Sequence, residues 1–150
     1  MTEAVLVARR HGCAVLAYDQ WCGLHERGTS HVLAGDRRSW RRWVRHRYRN
    51  TVSSCLVVPR ALWDDVGGFD EGFVGWGFED VAFWAALDTL GAEPVRRVAG
   101  PCWHLWHPLS PERDQSRPDY QRGLARRQRY LDARDAGPAA MRALLDELAA

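Results

Sequence analysis

The chain has 150 residues, 46% hydrophobic and 27% charged, with 13 Gly and 7 Pro, the make-up of one globular domain with a real core. This composition excludes disorder, collagen or coiled coil as descriptions of the whole chain, and no apolar run reaches the roughly 20 residues of a membrane span. The start, MTEAVLVARRHG, lacks the pattern of a signal peptide, which predicts a cytoplasmic location.

The net charge of +2 hides two opposed blocks. Residues 36–49 hold seven Arg and one Asp, whereas 64–80 hold Asp64, Asp65, Asp70, Glu71, Glu79 and Asp80 with no basic residue. All 21 basic residues are Arg, so Arg by itself is weak evidence for a phosphate site here. The 8 Trp are more informative, because an indole packs in a core or offers a platform for sugar rings and bases. Cys13, Cys22, Cys55 and Cys102 form no CxxC pair and read as buried thiols.

In chain order, TEAVLVARR has helical apolar spacing and stops at Gly12, predicting a helix, and CAVLAY predicts a strand over 13–18. Residues 19–30 read as a polar loop. Asp36 reads as the cap of a helix reaching about residue 47, with Trp40, Trp43, Val44 and Tyr48 along one side. TVSSCLVVP reads as a buried strand, ALWDDVGG as a short helix, and FDEGFVGWG as a loop rich in Gly and aromatics. A helix over 78–90 puts Phe83, Leu87 and Leu90 on one side and stops at Gly91. Strands over 95–98 and 102–107 follow, then two helices separated at Gly137 and Pro138. The alternation of elements predicts an α/β class.

The stretch most suggestive of chemistry is VGGFDEGFVGWGFED. Its Gly residues permit a tight, mobile backbone, Trp76 offers a flat face, and Glu79 and Asp80 place two carboxylates at a helix start. Such a loop can close over a ligand while a carboxylate accepts a proton from an attacking hydroxyl. The plainer reading is that Gly67 and Gly68 end one helix and the two acids complement the dipole of the next.

The run GGFDEGFVGWGFED, with Arg60 and Trp63 before it and HLWHP after it, resembles the C-terminal, galactosyltransferase-like part of glycosyltransferases of GT-A fold, the β-1,4-galactosyltransferases and bacterial family 2 enzymes. The resemblance implies inverting transfer of a sugar from a nucleotide-sugar donor to a carbohydrate or lipid-linked acceptor. It assigns Asp80 as the catalytic base and Gly75, Trp76, Gly77 and Glu79 to the acceptor side. It also implies a divalent metal, Mn2+ or Mg2+, for which His104 and His107 are the candidate ligands. Residues three apart on a straight strand face opposite ways, so both imidazoles reach one ion only if the chain turns there. Two histidines packed among Trp103 and Trp106 are the alternative.

The resemblance implies a partial GT-A domain over 1–110, carrying the acceptor and base side, with a helical extension over 111–150. No DxD occurs, so the donor-binding half is expected to be missing, and the chain to be inactive or weak alone unless a separate chain supplies that half. Two other classes stand beside this one. A non-catalytic module holding a sugar or phosphate would use the Trp-rich surface. A nucleic-acid binder would use the Arg-rich segment, whose aromatic spacing is more simply explained by core packing.

Overall fold

The computed structural model describes residues 2–36 and 40–149. Six α-helices and six short strands make up a mixed α/β fold among the described residues. In chain order they are α1 (Thr2–His11), β1 (Val15–Leu16), β2 (Gln20–Leu24), α2 (Glu26–Leu33), β3 (Val44–Tyr48), β4 (Leu56–Val57) and α3 (Arg60–Val66). There follow α4 (Glu79–Leu90), β5 (Arg96–Arg97), β6 (Pro101–His104), α5 (Pro118–Ala136) and α6 (Pro138–Ala149).

The strands form two three-stranded sheets, ordered β4-β1-β5 and β3-β2-β6. In each, the central strand is antiparallel to its earlier-bonded neighbour, β4 or β3, and parallel to β5 or β6. The parallel ladders are two halves of one ribbon, because Val15 opposite Arg96 and Gln20 opposite Pro101 keep the same register. Between them the chain kinks. There Gly100 donates its N–H to the Asp19 carboxylate at 2.9 Å, and its carbonyl accepts from the N–H groups of Asp19 and Gln20. A side chain thus supplies the bond that the interrupted ladder lacks. Beside the kink, buried Tyr18 donates its hydroxyl to the Ser53 carbonyl at 2.5 Å and lies 2.9 Å from the Thr51 hydroxyl, fastening the link between β3 and β4.

Two segments differ from their expected form. The loop expected over 19–30 is β2 followed by α2. The helix expected over 36–47 is replaced by a 3-10 turn at Trp40–Trp43 and by β3; the start of that expected helix, at 37–39, lies outside the described residues. The spacing of Trp40, Trp43 and Tyr48 suits a helix, but Val44-Arg45-His46-Arg47-Tyr48 also alternates as a strand does. Pairing with residues 21–24 of β2 satisfies its backbone and decides between the two. The expected strands over 51–59, 95–98 and 102–107 are present in shortened form.

The main core lies among α3, α4, α5 and α6, where Leu62, Val66, Phe83, Leu87, Tyr130, Met141 and Leu144 are buried together. A smaller cluster of Ala4, Ala8, Cys13, Val15 and Val98 seats α1 on the first sheet. At the far end of α4, the Asp88 carboxylate accepts the Val95 N–H at 2.8 Å and ties the helix to the approach of β5.

Helix α2 is held close to the 3-10 turn. A Cβ at buried Gly28 would stand 2.4 Å from Trp43 Cβ, and the His25 N–H donates to the Trp43 carbonyl at 3.1 Å. Gly28→Ala is therefore expected to destabilise by about 1–3 kcal/mol from overpacking, despite the roughly 1 kcal/mol that Ala gains over Gly in a helix. A thermal melt checks this: a variant melting above the parent would show that α2 can move away from Trp43.

Candidate functional site

The acidic, aromatic loop between α3 and α4 is built by a chain of specific contacts. Helix α3 ends at Gly67, whose φ of 77° turns the chain so that Gly67 and Gly68 N–H groups reach back to the Asp64 and Trp63 carbonyls. Phe69 then folds back into a cluster with Trp63 and Phe83, with ring centroids 4.4–5.8 Å apart. Next, Asp70 is bound by four donors. Arg126 of α5 reaches both its oxygens at 2.6 and 2.8 Å, Tyr130 donates at 3.0 Å, and the Gly72 N–H donates at 2.9 Å.

Gly72 has a steric task in the same place: a Cβ there would stand 2.4 Å from the carbon at the centre of the Arg126 guanidinium. Burial by itself would push the Asp70 carboxyl up, but Arg126, the Gly72 N–H and Tyr130 outweigh it and hold Asp70 below the usual carboxylate range. Burial and the facing Asp70 charge push the Tyr130 hydroxyl far above its ordinary value, so it stays a donor.

The chain then passes Gly75 and Gly77, at φ 89° and 87°, and Phe78, at φ 81°. Glycine takes that conformation at no steric cost, whereas a phenylalanine held there carries strain of order 1 kcal/mol or more. Helix α5 holds it in place: Phe78 packs edge-on against Tyr120 at 5.0 Å, lies over Gly123, and has the Arg127 guanidinium 5.2 Å from its ring. Trp76 sits at the lip of the loop, 36% exposed, with Arg113 4.3 Å from its ring centroid and the Tyr120 ring parallel to it at 6.5 Å. Immediately after this turn α4 begins with Glu79 and Asp80, both half-buried. Asp80 Oδ1 accepts the Val81 N–H at 2.8 Å, and no protein donor reaches its Oδ2 among the described residues.

The structure thus gathers Gly75, Trp76, Gly77, Glu79 and Asp80 at one junction between loop and helix. His104 and His107 form a second group. Strand β6 ends at His104, the chain turns, and the two rings come within 5.1 Å of each other, centroid to centroid. The Trp106 N–H, donating to buried Thr29 at 2.7 Å, fixes that turn. His104 rests on Trp21 at 4.7 Å, and burial, then the neighbouring His107, lowers its pKa and favours the neutral ring. His107 Nδ1 lies 2.8 Å from the Pro108 carbonyl, which can only accept, so Nδ1 carries the proton in this contact. No third His, Cys, Asp or Glu joins the pair in a metal-holding group among the described residues. No hydrogen bond or ring contact links the pair to Trp76, Glu79 or Asp80 among those residues.

The supporting residues missing from the sequence reading are Arg113, Tyr120, Gly123, Arg126 and Tyr130 on one side, and Trp21 and Thr29 on the other. Only the recurrence of 120, 123, 126 and 130 near helical spacing signals that one face of α5 is committed to a partner.

Compared with known protein families, residues 40–107 match the N-terminal domain of galactosyltransferase. That stretch, somewhat less than half of the chain, includes the entire GGFDEGFVGWGFED run and both histidines. The chain is therefore similar to galactosyltransferases there, and the match is to a domain described as N-terminal, where the motif reading expects a C-terminal one. Neither the curated proteins nor the solved structures compared with the chain give a match. No helix among the described residues is long and apolar enough to cross a membrane.

Proposed function

We propose that this chain is a glycosyltransferase-type domain that moves a sugar with inversion from a nucleotide-sugar donor to an acceptor hydroxyl. The galactosyltransferase match over residues 40–107 carries this reading, because it spans both groups of candidate residues. In this reading Asp80 is the base. Its Oδ2 has no protein donor among the described residues and can take the acceptor proton, while Oδ1 stays anchored to the Val81 N–H. The acceptor oxygen attacks the anomeric carbon from the side opposite the departing nucleoside diphosphate. Trp76, backed by Arg113 and Tyr120, gives the acceptor ring an apolar surface, and Glu79 holds its hydroxyls.

His104 and His107 would offer two nitrogen ligands for Mn2+ or Mg2+, with Nε2 the nitrogen of His107 that the Pro108 contact does not occupy. Two imidazoles do not make a complete site for either ion, which favours oxygen donors. The remaining ligands would have to come from donor phosphates and from carboxylates outside this pair, such as a DxD, which the chain lacks. An ion held there would stabilise charge on the leaving diphosphate.

Calorimetric titration with UDP, with and without Mn2+, tests the donor side. Binding should require the metal and fall at least tenfold in a His104→Ala, His107→Ala double variant. Metal-independent binding unchanged by that double variant would remove the histidines from the donor site.

A further inference from the structure

The sheet β3-β2-β6 has a second equipped face that the glycosyltransferase reading does not use. In its register Cys22 lies opposite both Arg47 of β3 and Trp103 of β6, so these three form one row and project to one side. The next row, Gly23 with His46 and His104, projects to the other side. The face bearing Trp103 is thus opposite to the one that carries the histidine pair.

On the Trp103 side a cleft of about 300 Å³ is lined by Asp19, Gln20, Arg41, Arg47 and Trp103, with the Gly100 kink at its base. Its chemistry is specific. No carboxylate among the described residues lies within ion-pair distance of Arg41 or Arg47, whereas Arg42 and Arg49 beside them lie 3.8 Å from Asp36 and Asp19. Two guanidiniums brought to one cleft from a 3-10 turn and from a strand, with the Asp19 carboxylate of the same cleft engaged by Arg49 and the Gly100 N–H instead, suit an anion that takes several N–H donors. One wall is the Trp103 indole, held in place by the edge of Trp40 at 5.6 Å; Trp40 is itself anchored through its N–H to the Asp36 carbonyl at 2.9 Å. A fixed indole beside an amide and a carboxylate suits a ring whose faces are apolar and whose edge carries hydroxyls.

We propose that this cleft is a metal-independent binding site for a phosphorylated sugar, with the phosphate on Arg41 and Arg47, the ring against Trp103, and hydroxyls on Gln20 and Asp19. The site is independent of the transferase reading, because it lies across β6 from His104 and uses none of the residues assigned there.

Titration of the chain with glucose 1-phosphate in EDTA at low salt tests the proposal. One saturable site is expected, weakened at least tenfold in an Arg41→Gln, Arg47→Gln double variant and unchanged by Arg10→Gln on α1, which alters charge elsewhere. Inorganic phosphate should bind several-fold more weakly, since it has no ring for Trp103. In spectra of the unaltered chain the Trp103 indole N–H should shift on binding while the His104 ring does not, which keeps the test valid if the double variant fails to fold. Equal weakening by Arg10→Gln, no effect of the double variant, or a shift at His104 instead of Trp103 would overturn the proposal. So would binding to phosphatidylcholine vesicles containing phosphatidic acid with none to glucose 1-phosphate, which would assign the cleft to a lipid headgroup.

Discussion

Asp80→Asn is expected to lower sugar transfer by a factor of about 100 to 10,000, the range over which a positioned general base accelerates a proton transfer. Asparagine keeps the size of the side chain and can still present its carbonyl oxygen to the Val81 N–H, which Asp80 Oδ1 engages at 2.8 Å. The fold and the start of α4 should therefore survive, with melting within about 1 kcal/mol of the parent after loss of one helix-dipole contact. What asparagine cannot do is accept the acceptor proton. Transfer is read as nucleotide release from a panel of UDP-sugars. Glu79→Gln is the internal comparison: it should raise the KM for acceptor more than it lowers kcat, because Glu79 is assigned to binding rather than proton transfer. An Asp80→Asn variant with unchanged kcat would remove Asp80 from the chemistry. A variant that no longer melts cooperatively would instead assign Asp80 to helix capping alone.

Much of the α-helical skeleton is legible in the sequence because each signal is local. Gly12 ends α1, Gly67 ends α3, Gly91 ends α4, and Gly137 with Pro138 separates α5 from α6. In the second sheet β6 is legible but β2 and β3 are not, because β2 is a strand only through partners far along the chain, such as His104 opposite Gly23. A five-residue segment, QWCGL, carries no decisive period of its own. Similarly, the paired carboxylates and Trp76 stand out locally, but the aspartate that holds their loop does not. Asp70 is 56 residues from Arg126 and 60 from Tyr130, and nothing near it distinguishes a buried tether from an exposed acid. The turn after His104 has no local signal either. It depends on Thr29, 77 residues away, accepting the Trp106 N–H.

Asp70→Asn should destabilise the fold by about 3 kcal/mol, because Arg126 would lose its charge partner in a setting where Asp70 is 12% exposed and Arg126 26%. For a domain of this size that corresponds to a fall in melting temperature of roughly 10 °C. The loss also acts on the candidate site, because Arg126 and Tyr130 fasten the loop that presents Trp76 and Asp80 to α5. The pH dependence gives an independent reading. With its native pKa held below the ordinary value of about 3.9, Asp70 binds fewer protons when folded than when unfolded. Its contribution is complete above the ordinary aspartate range and is lost as pH falls through the lowered native value. The parent should therefore lose stability on acidification below about pH 4 more steeply than Asp70→Asn. A residual slope persists in the variant, since the exposed Asp65 is also held low by its bidentate contact with Arg142 at 2.6 and 2.7 Å. Chemical denaturation at a series of pH values measures both. Parallel acid slopes for parent and variant would show that the Asp70 tether contributes little to the native state, and that the loop is held by its aromatic contacts with α5 instead.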